Sequence, residues 1–68
     1  MKSAVKDRLL TLTRDGNHEV RLSAIYALGE GGDPTSDCVD RLLDLSKDGN
    51  HEIRLAAIKA LGRISRES

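Results

Sequence analysis

The chain is nearly devoid of aromatic residues: Tyr26 stands alone, with no phenylalanine and no tryptophan. That removes the stacking platforms on which single-stranded nucleic acids are held. Cysteine is as scarce. Cys38 is the only one, so no internal disulfide can staple the chain, and no Cys/His cluster has zinc-ligand spacing. A lone thiol fits a reducing compartment, so a cytoplasmic location is expected. Neither charge is in excess. Eleven Lys and Arg residues balance eleven Asp and Glu. Both halves balance, with five of each sign over residues 1–35 and six of each over 36–68. Phosphate neutralisation therefore gives no drive towards nucleic acid. Long hydrophobic runs are missing too. No stretch approaches the ~20 apolar residues of a membrane span, and Met1-Lys2-Ser3-Ala4-Val5-Lys6-Asp7 has no signal-peptide core. No membrane partner and no cofactor are expected.

What the chain does have is a repeat. Asp15-Gly16-Asn17-His18-Glu19-Val20-Arg21-Leu22-Ser23-Ala24-Ile25-Tyr26-Ala27-Leu28-Gly29 returns as Asp48-Gly49-Asn50-His51-Glu52-Ile53-Arg54-Leu55-Ala56-Ala57-Ile58-Lys59-Ala60-Leu61-Gly62. The offset, 48 − 15, is 33 residues. A period of that length marks a stacked array of supersecondary units. It divides one domain, residues 1–68, into a first unit at about 3–35 and a second at about 36–68. The same offset aligns Asp7-Arg8-Leu9-Leu10 with Asp40-Arg41-Leu42-Leu43, and Leu12 with Leu45.

Each unit carries two helical patterns, A then B. Helix A of the first unit is expected from about Lys2 to Arg14, with Val5, Leu9 and Leu12 on one stripe widened by Leu10. In the second unit Cys38, Leu42 and Leu45 take those places, widened by Val39 and Leu43. That helix should start near Pro34–Ser36, capped by Asp33 or by Ser36, with Pro34 in its first turn. Both A helices should stop at Asp15-Gly16 and Asp48-Gly49, where glycine can supply a left-handed closing residue. Asn17 and Asn50 are then N-caps for the B helices, with Glu19 and Glu52 favourably placed at the positive ends of the helix dipoles. So short a connection forces an antiparallel hairpin.

Helix B is expected over about His18–Gly29, and from about His51 to Gly62 or slightly beyond. Val20, Ala24, Ala27 and Leu28 share a face on which small alanines admit a close neighbour. Leu22, Tyr26 and Glu30 point the other way, flanked by Glu19 and Ser23. Leu55, Lys59 and Arg63 follow in the second unit, flanked by Glu52 and Ala56. Glu30-Gly31-Gly32-Asp33 breaks the chain between units.

The pattern Asn-x-x-Val-Arg-x-x-Ala-x-x-Ala-Leu-Gly at Asn17–Gly29, repeated at Asn50–Gly62 with Ile at the Val position, resembles HEAT-like repeats, most of all the short type named after phycobilisome lyases. The resemblance implies an all-α fold: four helices in two stacked antiparallel hairpins, a minimal HEAT/armadillo-like α-solenoid. It also implies that helix B lines the concave, partner-binding side. It further implies a ladder of Arg21 and Arg54 with Asp15 and Asp48 across units. Independently, a partly buried guanidinium needs a carboxylate or a carbonyl. Two departures stand out. Asp33–Leu42 runs a couple of residues longer than the short type, and Gly31 stands where the family carries an aliphatic residue, as Ile64 does.

No residue pattern argues for catalysis. His18 and His51 recur at the repeat period and lack the second histidine of a zinc-protease helix; they read as solvated. Cys38 reads as a small buried hydrophobe, and Asp7-Arg8 and Asp40-Arg41 as solvated helix faces. The function expected is a non-catalytic protein-binding scaffold, with Leu22, Tyr26, Leu55 and Lys59 as the contact surface and Glu19, Glu30 and Arg63 beside them. The alternative is a fragment of, or accessory to, a chromophore lyase-like enzyme using Cys38. Two units leave both ends of the stack apolar, and arrays normally need about three. The chain is therefore expected to pair with itself as a homodimer. The pairing is end-to-end, or B face to B face with Glu19 or Glu30 near Lys59 or Arg63, or by helix exchange through Gly31-Gly32.

Overall fold

A computed structural model describes residues 1–65 of the chain. The last positions of the second unit, Arg66, Glu67 and Ser68, lie outside the described residues. Among the described residues four helices form: α1 (Ser3–Leu12), α2 (His18–Gly31), α3 (Ser36–Leu45) and α4 (His51–Ser65). There is no strand among the described residues. α1 with α2 and α3 with α4 make two antiparallel hairpins, and α2 packs most extensively on α4. The all-α fold of two stacked hairpins is as the sequence implies.

The B helices begin as their sequence dictates. Asn17 Oδ1 accepts the Val20 N–H at 3.1 Å, and Asn50 Oδ1 accepts the Ile53 N–H at 3.1 Å. Each satisfies one of the donors a helix start leaves unpaired. Asp15 Oδ2 and Asp48 Oδ2 accept from the N–H groups of Asn17 and Asn50, at 2.9 and 2.8 Å, which sets the cap residue itself.

The ends of the A helices differ from expectation. α1 stops at Leu12 and α3 at Leu45, both closed by right-handed residues, Thr13 and Ser46. Gly16 and Gly49 are not left-handed; among the described residues Gly32 is the only positive-φ glycine, at 62°. The reason is local. Arg14 and Asp15 donate to the Thr11 and Leu12 carbonyls, so the last turn tightens and closes before glycine is reached. Gly32 instead caps α2, which runs two residues beyond Gly29. α3 starts from Thr35, and neither Asp33 nor Ser36 is its N-cap. Asp33 Oδ1 accepts the Thr35 N–H in a turn that places Pro34 outside the helix. At Gly31, where the HEAT-like pattern carries an aliphatic residue, Met1 takes the place instead: a Cβ built on Gly31 would overlap the Met1 Cε methyl.

The core lies between the units. Ile25 and Leu28 of α2 are fully buried with Ile53, Ala56, Ala57 and Ala60 of α4 and with Cys38, Leu42 and Leu45 of α3. Complete burial of Ile25 or Leu28 is worth about 1.5–3 kcal/mol each. Ile25, which the stripe reading left unassigned, is thus central. Val5 is the reverse case: it shares the stripe position of Cys38, yet it is 50% exposed and Cys38 is 0% exposed. α1 buries no residue completely, because no described element covers the outer side of its stripe.

One point fixes how near α2 and α4 come. A Cβ on Gly29 would lie 2.9 Å from both Cα and Cβ of Ala60. Gly62, at the same place in the second unit, has nothing within 4 Å. Gly29→Ala is expected to destabilise the fold by about 1–3 kcal/mol, since backbone must move. Gly62→Ala, at dilutions where the chain is monomeric, should stabilise it by about 0.5–1 kcal/mol through helix propensity. Urea unfolding followed by helix signal measures both; equal effects would show that the close approach does not matter.

Candidate interaction surfaces

The structure brings together four of the seven residues read as partner-binding. Tyr26, Lys59 and Arg63, with Gly29 and Ala60, line a recess of about 20 Å³ where α2 and α4 meet, room for about one water. Tyr26 is 50% exposed. Glu30 joins through an ion pair with Arg63. Both partners are well exposed, so the pair adds little stability. It does occupy two of the four residues on which a B-face twofold would draw, leaving Glu19 and Lys59.

The other three lie elsewhere. Leu22 is half-buried against the core rather than open, because α4 covers its side of α2. Leu55, its counterpart, is exposed, since no described residue packs over its side of α4. Glu19 stands on the rim of a groove at the amino-terminal end of the stack.

That groove, about 500 Å³, is floored by Leu9, Leu12, Val20, Ala24 and Ala27, with Asn17, Glu19 and Ser23 at its edge. At the opposite end Leu43, Leu55 and Ile58 are exposed, Ile58 by 54%. Both ends of the stack are therefore apolar and open among the described residues.

The arginine ladder is corrected. Arg21 Nη1 donates to the Asp15 carbonyl at 2.8 Å. Arg54 Nη1 donates to the Asp48 and Gly49 carbonyls at 3.0 and 3.3 Å. Both bonds stay within one unit and reach main-chain oxygens, not carboxylates. The A–B turn leaves carbonyls without helical partners directly beneath each guanidinium, and the Asp15 and Asp48 side chains are engaged with Asn17 and Asn50.

Besides Glu30 with Arg63, three polar links cross between units among the described residues, two of them through His18 and Arg41, which the sequence reads as solvated. Arg41 is not a freely solvated residue. Its Nε donates to Thr13 Oγ1 at 2.9 Å and its Nη2 to the Thr13 carbonyl at 3.3 Å. Thr13 is fully buried and donates its own hydroxyl to the Leu10 carbonyl at 2.6 Å. Burial holds the Arg41 guanidinium below its ordinary value, with Arg14 nearby adding to the effect. His18 Nε2 pairs with Glu52 Oε1 at 2.8 Å. Lys6 pairs with Asp37 at 3.2 Å. Hydrogen bonds from Thr35 and then Lys6 hold the Asp37 carboxyl below its ordinary value. Thr13 had one sequence signal: the offset sets it against Ser46, another hydroxyl one residue past a helix A.

Chemistry for catalysis is thin. Cys38 is fully buried, and desolvation pushes its thiol above the ordinary value. Among the described residues no three His, Cys, Asp or Glu side chains group as metal ligands do. No described helix is long and apolar enough to cross a membrane.

Thr13→Val is expected to cost about 1–3 kcal/mol, leaving Arg41 Nε without its hydroxyl acceptor. Thr13→Ser should retain most of that. Thermal and urea unfolding of the pair checks it; identical losses would assign the effect to the methyl group.

The family model for HEAT repeats matches residues 5–68. A search of the curated proteins found no match. A period of 33 residues, four helices in two stacked hairpins and a match over nearly the whole length agree: the chain belongs to the HEAT repeat family.

Proposed function

We propose that the chain is a non-catalytic protein-binding scaffold, that a partner protein docks on the α2–α4 face around Tyr26 and Lys59, and that the chain also associates with itself. HEAT repeats generally mediate protein–protein interaction. The observation that carries the reading is Tyr26, the single aromatic, standing half-exposed beside Lys59 and Arg63 where the two B helices meet. Tyrosine beside cationic side chains is the composition of interface hot spots. Leu22 adds a half-buried flank, and Leu55 and Glu19 stand towards opposite ends.

Tyr26→Ala and Lys59→Glu should each weaken retention of partner proteins by the immobilised chain about tenfold or more, with far-ultraviolet circular dichroism unchanged. Unchanged retention by both variants would remove this face from the site.

The chromophore lyase-like alternative requires Cys38 as a nucleophile. A fully buried thiol with a raised pKa is a poor one. Native-state alkylation of Cys38 is expected to run at least ~100-fold slower than in denaturant. Labelling as fast as in the unfolded chain would revive the enzymatic reading.

A further inference from the structure

We propose that the second unit of one copy stacks on the first unit of another, head to tail, in the register already used between the two units of a single chain. The inference rests on the self-association in the functional reading above and gives it a geometry.

The argument starts from the 33-residue offset. Leu42, Leu45, Ile53, Ala57 and Ala60 receive the first unit and are all buried. Their counterparts are Leu9, Leu12, Val20, Ala24 and Ala27, the residues that floor the open groove. The first unit offers Ile25 and Gly29, with Leu10 and Leu22 packed alongside. Their counterparts Leu43, Leu55, Ile58 and Gly62 are exposed at the far end. One end is thus a copy of the donor face and the other a copy of the acceptor face. A second molecule can repeat the internal joint without a new kind of contact.

Three of the four polar links across the joint recur when shifted by one unit, and the fourth is replaced by an apolar pair. His18 with Glu52 becomes His51 with Glu19 of the next copy. Arg41 with Thr13 becomes Arg8 of the next copy with Ser46. The Ser46 hydroxyl already donates to the Leu43 carbonyl at 2.6 Å, as Thr13 does to Leu10, so its lone pairs stand ready to accept. Glu30 with Arg63 becomes Arg63 with Glu30 of the next copy, an alternating row of charge. Lys6 with Asp37 becomes Val39 with Ala4, apolar on both sides. A twofold arrangement of identical ends gives none of these pairings.

Gly62 supplies an independent sign. A glycine within α4 weakens the helix, and no neighbour in the chain needs the space it leaves. In the stacked register Ala27 of the next copy fills it, as Ala60 fills the space at Gly29. A donor face meeting a different acceptor face is a heterologous contact, so growth does not stop at two unless the rotation closes a ring.

The test is sedimentation velocity of the 68-residue chain over a wide concentration range, with Ala27→Arg blocking the acceptor face and Ile58→Glu the donor face. Both changes are at positions that are not fully buried, and thermal melts confirm folding. Gly62→Leu is a second donor-face block that removes a helix-weakening glycine. The unaltered chain should pass beyond the 7.4 kDa monomer in a concentration-dependent series. Each blocked variant should self-associate at least tenfold more weakly. An equimolar mixture of Ala27→Arg and Ile58→Glu, each with one intact end, should form a one-to-one pair at twice 7.4 kDa and stop. If the unaltered chain stays monomeric at millimolar concentration, self-association itself fails. If it associates but either variant alone still dimerises undiminished, self-association stands and the head-to-tail register is overturned.

Discussion

The approach of α2 to α4 governs this molecule. Gly29 lies against Ala60 with no space for a methyl group, and that contact lets Ile25 and Leu28 enter the core of the second unit. The second hairpin keeps its apolar face dry only because the first lies on it. Without that cover, Cys38, Leu42, Leu45 and Ile53 would lose the packing that buries them. The units are thus dependent parts of one core, as repeat arrays require.

Polar groups around this joint supply register rather than bulk energy. The pairs of His18 with Glu52, Lys6 with Asp37 and Glu30 with Arg63 each have at least one well-exposed partner, and exposed pairs contribute little. Arg41 and Thr13 are different. A buried hydroxyl that both donates and accepts must be matched on both sides, and a one-residue slip would leave it unpaired. The apolar core drives the hairpins together, and this link selects one alignment of α3 on the turn after α1.

Local chemistry was legible in the sequence where a side chain acts on its own backbone. The Asn17 and Asn50 caps, the helix B starts and the hairpin topology follow from interactions spanning a few residues. What escaped were choices between neighbours. Asp15 and Asp48 could serve an arginine or a cap, and the nearer N–H group won. Gly16 and Gly49 could take a left-handed conformation, but a tightened turn closed the helix first. Arg41 and Thr13 lie 28 residues apart, and helix periodicity carries no signal at that range. In the candidate site, Tyr26, Lys59, Arg63 and Glu30 were legible because the offset ranks positions by face. Leu22 and Leu55 look equivalent on a helical wheel and differ because α4 packs over Leu22, whereas no described residue covers Leu55.

That inequality extends to α1. It buries no side chain completely, whereas α3, its counterpart, buries three. Free energy of local opening follows buried contact, so protection from exchange should be graded along the chain rather than uniform. α1 is the foldon nearest to fraying, and its departure would bare the sides of α2 and α3 that it now shields. Opening in this molecule therefore has a direction, from the amino-terminal helix inward, and the tight α2–α4 seam is the last part to part from itself.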